Sequence, residues 1–227
     1  MSVRVSRQYL NSKMDINKIL IVGCGGGGAM LLPALAPAYD LIIADFDEYE
    51  DKNVTRQFYA NGAIGEKKSD VLAKFFNKGH KSVESFPNKI YGGEEFEGVD
   101  LIISCVDTNQ GRNACKDLSD GLDVPLIVIA NESWDPMAWL FLPHLAGLKQ
   151  DPFVRWNLGA LEDGVRETCA GTEIIAEIPQ LPQANYASGA FALCIMQSLM
   201  TCKKESNYIA EITATPNPVT TKMKEIV

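Results

Sequence analysis

The sequence predicts an α/β fold, a doubly wound, mostly parallel sheet with antiparallel strands toward the C-terminus. Three observations predict it. Four apolar runs rich in β-branched residues recur along the chain, stretches with helical character separate them, and a cluster of glycines closes the first run. Runs that are continuously apolar, rather than alternating, mark strands buried on both faces.

The elements follow in order. Residues 1–17 are polar with no sustained apolar period and form an N-terminal arm. KILIVG (18–23) is the first strand, DLIIADF (40–46) the second, DLIISCVD (100–107) the third long one and PLIVIAN (125–131) the fourth, with SVESFPNKIY (82–91) supplying a shorter strand. Helices are expected over roughly 27–38, 64–79 and 109–121. The apolar positions of the second are Ile64, Val71, Leu72, Phe75 and Phe76. Pro33 and Pro37 make the first helix short or kinked. After Asn131 the pattern changes, and residues 145–183 read as a long irregular crossover loop. NYASGAFALCIMQSLMTC (185–202) is apolar nearly all round, the mark of a buried helix, and YIAEIT (208–213) is a last edge strand before a tail at 214–227.

Composition narrows the function. The 227 residues with 46% hydrophobic content can fill one large core, so residues 18–213 are assigned to a single domain. A formal charge of -8 argues against a nucleic-acid binder, which needs a basic face. The six cysteines are scattered without a C-x-x-C pair, which implies neither a disulfide framework nor a zinc site and fits a reducing, cytoplasmic setting. The uncharged run Ile19 to Tyr39 carries five glycines and two prolines, so neither a membrane span nor a signal peptide is expected.

GCGGGG (23–28) follows the first strand and opens a helix, the setting in which backbone amides and the positive helix end face an anion. Asp45 ends the second strand, where an acidic residue accepts ribose hydroxyls of either NAD or ATP. What NAD leaves unexplained is the next stretch, DEYEDKNVTRQ, with Asn53, Arg56 and Gln57 on one face of a helical turn and Lys68 soon after. Phosphoryl chemistry needs such cations.

These residues resemble the E1-like adenylating family of ThiF, MoeB and the ubiquitin-activating enzymes. The resemblance rests on Gly23, Gly25, Gly26 and Gly28 in the loop, on Asp45 and Asp47, on Asn53, Arg56 and Gln57, on Gly65 and Lys68, and on Asp107 and Arg112, all in the family's order. It covers residues 1 to about 145 and, more loosely, 184–203, and the compact chain resembles small bacterial, plasmid or phage versions. The resemblance implies a Rossmann-like fold and ATP- and magnesium-dependent adenylation of a carboxylate, often the C-terminus of a ubiquitin-like or sulfur-carrier protein, by a homodimer.

It assigns Asp45 to the ribose, Arg56 and Lys68 to the phosphates, Asp107 to a magnesium ion and Asn53 to orienting the phosphate region, with Asp47 and Gln57 beside them and Arg112 supporting the loop of Asp107. Arg7, in RVSRQ, matches an arginine finger that acts on the other subunit, although the connection to the first strand is short. Cys169 is either a thioester or persulfide nucleophile or an ordinary loop cysteine, because exposure and a lowered pKa are both required of a nucleophile. Glu48, Glu50 and Asp51 read as a solvated loop; Cys24, Cys105, Cys115 and Cys194 as core; His80 and His144 as structural; Trp134, Trp139 and Trp156 as core or interface. Two other readings stay open: an NAD-dependent oxidoreductase, and a catalytically silent subunit that binds a ubiquitin-like protein.

Overall fold

The four apolar runs form the middle of a seven-stranded sheet in a computed structural model that describes residues 14–54, 57–132, 135–149, 151–155, 165–168, 171–174, 182–201, 208–209, 212–213 and 224–225. The strands are β1 (Lys18–Val22), β2 (Asp40–Ala44), β3 (Val83–Phe86), β4 (Leu101–Ser104), β5 (Leu126–Glu132), β6 (Asp135–Phe141) and β10 (Ile212–Thr213). Their spatial order is β10-β6-β5-β4-β1-β2-β3. The pairs from β5 through β4, β1 and β2 to β3 are parallel, whereas β5–β6 and β6–β10 are antiparallel. This is the Rossmann-like α/β architecture that the sequence predicts.

Burial explains why the runs are continuous. Ile19, Leu20 and Ile21 are all fully buried, yet Ile19 and Ile21 belong to one apolar cluster and Leu20 and Val22 to another, because successive side chains leave a strand on opposite faces. Leu41 and Ile43 divide from Ile42 and Ala44 in the same way. Each fully buried side chain of this kind stabilises the fold by about 1.5–3 kcal/mol.

The first cluster lies beneath helices α1 (Gly26–Leu35), α2 (Lys68–Phe76) and α5 (Pro182–Thr201), and the second beneath α3 (Asn109–Leu122) and the short α4 (Pro152–Arg155), which carries Phe153. Two small two-stranded sheets accompany it, β7 (Val165–Thr168) with β8 (Gly171–Ile174) and β9 (Tyr208–Ile209) with β11 (Lys224–Glu225).

The structure corrects several expectations. No strand was assigned to the stretch after Asn131, yet β6 pairs along the whole of β5, with Pro136, whose ring lacks an N–H, tolerated near the strand's start; within residues 145–183, expected to be irregular, α4 and the β7–β8 pair are regular. Residues 208–213 are not one strand but two short pieces in different sheets. Helix α2 starts at Lys68, so Ile64 lies before it and is exposed, as is Phe75. Helix α5 covers one face of the sheet instead of being buried all round, which leaves Tyr186, Ala190 and Cys194 exposed; Cys194 is therefore not a core residue. Cys24 and Cys115 are fully buried, and burial raises the thiols of Cys24, Cys105 and Cys115 far from the reactive range. Trp139 is in the core; Trp134 and Trp156 lie outside the described residues. No described helix is long and apolar enough to cross a membrane.

Candidate functional site

The chain leaves β1 for β2 on one side and reaches β4 on the other, so the sheet has a topological switch between β1 and β4, the position outside the strands' C-terminal ends where open α/β sheets bind their ligands. The glycine loop occupies that point. Gly23 has a φ of 89° and lies so close to β4 that a Cβ there would stand 2.9 Å from the Cys105 carbonyl oxygen. Gly28 has no room at all: a Cβ would overlap the Gly23 carbonyl oxygen. Around Gly25, by contrast, a Cβ would meet nothing within 4 Å, so the loop is tight against the protein on one side and open on the other. It leads into the first turn of α1, whose exposed amides suit an anion.

Asp45, one residue past β2, holds this loop in place. Its Oδ2 accepts the Cys24 N–H at 2.6 Å and its Oδ1 accepts the Asp47 N–H at 2.8 Å, while Ser69 Oγ donates to its backbone carbonyl at 3.0 Å. A carboxylate offers about four lone-pair sites, so room for further donors remains after those two amides. Asp47 in turn receives the Lys68 ammonium at 2.9 Å, and the Lys68 N–H donates to the Asp47 carbonyl at 3.0 Å. Lys68 itself is 7% exposed at the first position of α2. The lysine thus sits at the end of a chain of contacts that begins in the glycine loop.

Burial raises the Asp45 carboxyl above the ordinary Asp range, against the pull of the Cys24 and Asp47 amides and of Lys68. An acid whose folded titration lies above its unfolded one, about 3.9, is held protonated more tightly in the folded state. Its contribution to stability is therefore fully present below the unfolded value and declines as pH rises through the folded one. Asp45→Asn is expected to flatten that part of the stability profile, read as melting temperature against pH beside the parent protein; parallel curves would show that Asp45 does not titrate in this window.

The segment that follows is built by backbone capping. Asn53, 3% exposed in a short 3-10 turn (Asp51–Asn53), accepts the Glu50 N–H on its Oδ1 at 2.9 Å, and its carbonyl receives the Gln57 N–H at 2.8 Å. Asn53 and Gln57 are thereby brought together as their spacing predicts. Arg56 lies between them but outside the described residues, as do Arg7 and Cys169. Glu48 and Glu50 are exposed and paired with Lys67 and Lys52, in keeping with a solvated loop.

Asp107 stands exposed just beyond β4, one residue before Thr108, whose hydroxyl caps α3 by accepting the Gly111 N–H at 3.1 Å. Arg112 donates to Asn109 Oδ1 at 3.1 Å and so braces the first turn beside Asp107. No cluster of three or more metal-ligating side chains exists among the described residues. One exposed carboxylate at the switch point instead suits magnesium carried in with phosphates, since Mg2+ is commonly bound by one or two carboxylates plus substrate oxygens.

Tyr49, beside the candidate site, is a buried residue that sequence reasoning did not single out. It is 1% exposed, its hydroxyl has no hydrogen-bond partner among the described residues, and the Gln57 Oε1 is orphaned in the same way. A buried polar atom left without a partner costs about 1–3 kcal/mol. The position of Tyr49 inside the carboxylate run gave no signal, because a lone tyrosine among acids has no period. Burial and the nearby Cys24 and Asp45 raise its hydroxyl's pKa, so it stays a donor.

The profile of the ThiF family matches residues 5–223, nearly the whole chain. The chain belongs to the ThiF family. Among its relatives, the adenylyltransferase and sulfurtransferase UBA4 of Kluyveromyces lactis is 30% identical over 123 residues, 51% of this chain and 28% of that protein. The ubiquitin-like modifier-activating enzyme 5 of Aedes aegypti is 33% identical over 124 residues, 44% of this chain and 31% of that protein. The matches thus span less than a third of either relative. Among solved structures, E. coli MccB with ATP superposes with a TM-score of 0.63 at 16% identity, over 97% of this ThiF chain and 65% of MccB. The E. coli tRNA N6-threonylcarbamoyladenosine dehydratase TcdA gives 0.60 at 18% identity, over 81% of this chain and 86% of its own. These two likenesses establish the fold.

Proposed function

We propose that this ThiF-family chain adenylates a carboxylate with ATP, the carboxylate being the C-terminus of a ubiquitin-like or sulfur-carrier protein. The observation that carries the proposal is Lys68: a nearly buried cation, held through Asp47 and Asp45 to the glycine loop, at a position where a dinucleotide reductant would need none. The name of the ubiquitin-like modifier-activating enzyme supports the same substrate class, and that of UBA4 supports adenylyl transfer.

A terminal carboxylate is ionised at neutral pH, its pKa being about 3.5, so the reaction needs no general base. The obstacle is the repulsion between that anion and the α-phosphate. In the proposed site the loop amides and α1 take phosphate oxygens, Lys68 and Arg56 offset charge, Asp45 holds the ribose, and Asn53 and Gln57 orient the phosphate end. Asp107 would hold magnesium, which would supply positive charge against the negative charge that develops as pyrophosphate departs. Attack by the carboxylate on the α-phosphate then forms the acyl adenylate as the bond to pyrophosphate breaks.

Calorimetric titration tests this with ATP and magnesium in one cell and NAD in the other. Binding of ATP but not NAD is expected, and binding of NAD alone would overturn the reading. A variant with Lys68→Met should then show which ligand depends on the buried cation.

A further inference from the structure

The glycine loop is held from two sides. On one, past β2, Asp45 accepts the Cys24 N–H. On the other, toward β5, stands the side-chain amide of Asn185, near the start of α5. A Cβ on Gly26 would overlap that amide, and a Cβ on Gly27 would stand 3.0 Å from Ile129 Cδ1 and 3.9 Å from Asn131 Nδ2. The first turn of α1 therefore lies flush against α5 and the end of β5. It has no side-chain cap of its own, because its N-cap is Gly25.

Asn185 is 4% exposed and rests on a network. The side-chain amides of Asn131 and Asn185 hydrogen-bond to each other. With its nitrogen donating to the Ala130 carbonyl at 2.8 Å, the Ala184 carbonyl at 3.2 Å and Ser188 Oγ at 2.7 Å, Asn131 turns its oxygen toward Asn185. Ser188, fully buried, donates its hydroxyl to the Asn185 carbonyl at 3.1 Å. One end of the Asn185 amide is thereby fixed on β5, and the other end lies over Gly26. One turn further along, α1 and α5 meet through Leu31 and Gly189 without side-chain polar atoms. Burying two amides costs free energy unless both are hydrogen-bonded, so packing of the helices alone does not account for the pair.

We propose that Asn185, braced by Asn131, is a positioning residue for the phosphate end of the site. It fixes the first turn of α1 from the side opposite Asp45, so that the N–H groups of the glycine loop stand between a carboxylate at the end of β2 and an amide at the start of α5. Gly26 and Asn185 form a matched pair, the missing Cβ of one making room for the amide of the other. The effect of Asn185 on phosphate binding rests on the adenylation reading; its hold on the loop does not.

Hydrogen exchange of the unliganded protein tests that hold. In Asn185→Ala the amides of Gly25 to Gly28 are expected to exchange at least about tenfold faster, with those of β1 as protected as in the parent protein. Unchanged exchange in the loop would overturn the proposal, and so would equal acceleration in β1, which marks general loosening. Asn185→Ser, which keeps a polar partner for Asn131, serves the same measurement if the alanine variant does not fold. Gly26→Ala is expected to lower the melting temperature in the parent background and much less in the Asn185→Ala background, where the methyl group has room; equal decrements would contradict the pairing. By calorimetry, the Asn185 variants are expected to bind ATP and inorganic tripolyphosphate at least about tenfold more weakly and adenosine as the parent does, since only phosphates use the loop amides. Unaltered tripolyphosphate affinity, or an equal loss for adenosine, would overturn the positioning role. Failure of the parent protein to bind ATP or tripolyphosphate would count against adenylation and leave the exchange measurement to decide the hold of Asn185 on the loop.

Discussion

Asp107→Ala is expected to abolish the gain in ATP affinity that magnesium brings and to reduce pyrophosphate exchange by a factor on the order of 10²–10³, the usual consequence of removing one charge-stabilising group. Its side chain is exposed beyond β4, and the cap of α3 is made by Thr108, so the melting temperature should stay where it is. Calorimetry with and without magnesium, beside a thermal melt, separates the two effects. Full exchange activity in a folded Asp107→Ala protein would sink the assignment of this carboxylate, and a lowered melting temperature would show that it supports the turn instead.

The second large effect is structural in origin. Gly28→Ala places a methyl group against the Gly23 carbonyl, a backbone atom that cannot rotate away. Overpacking of this kind costs about 1–3 kcal/mol. For a domain of this size, each kcal/mol lowers the melting temperature by roughly 2–4 °C. Because the displaced group is the loop itself, ATP affinity should fall by at least about tenfold, equivalent to 1.4 kcal/mol. Gly25→Ala supplies the comparison: its Cβ meets nothing within 4 Å in the protein, so stability should be kept and only ligand binding should suffer. Equal melting temperatures for the two variants would contradict the packing described for Gly28.

The sheet was legible because parallel strands declare themselves by continuous apolar runs, and every one of the four long runs became a central strand. Strand β6 was not, since DPMAWLF contains a proline and neither alternates nor runs on as a β-branched stretch. The exposure of Cys194 and Tyr186 was hidden for a related reason: composition shows that α5 is apolar but cannot say which side faces the sheet when no charged residue marks the outside. In the candidate site, the glycines, Asp45, Asp47, Asn53, Gln57, Lys68 and Asp107 were singled out by motif. Their connections were not, because the Asp45 clamp on Cys24 and the Lys68 pairing with Asp47 join residues 21 positions apart. The orphaned Tyr49 hydroxyl is a product of packing alone.

The Lys68–Asp47 pair also means that the charge of the lysine is matched before any anion arrives. An arriving phosphate does not fill a bare positive hole; it must exchange with a carboxylate that occupies the lysine first. What the proposed ligand gains there is the difference between two ion pairs, which is small for a singly charged anion and larger for a polyphosphate. The resident aspartate would in this way act as a threshold, turning away chloride or acetate while yielding to a polyphosphate, with the released Asp47 left beside Asp45.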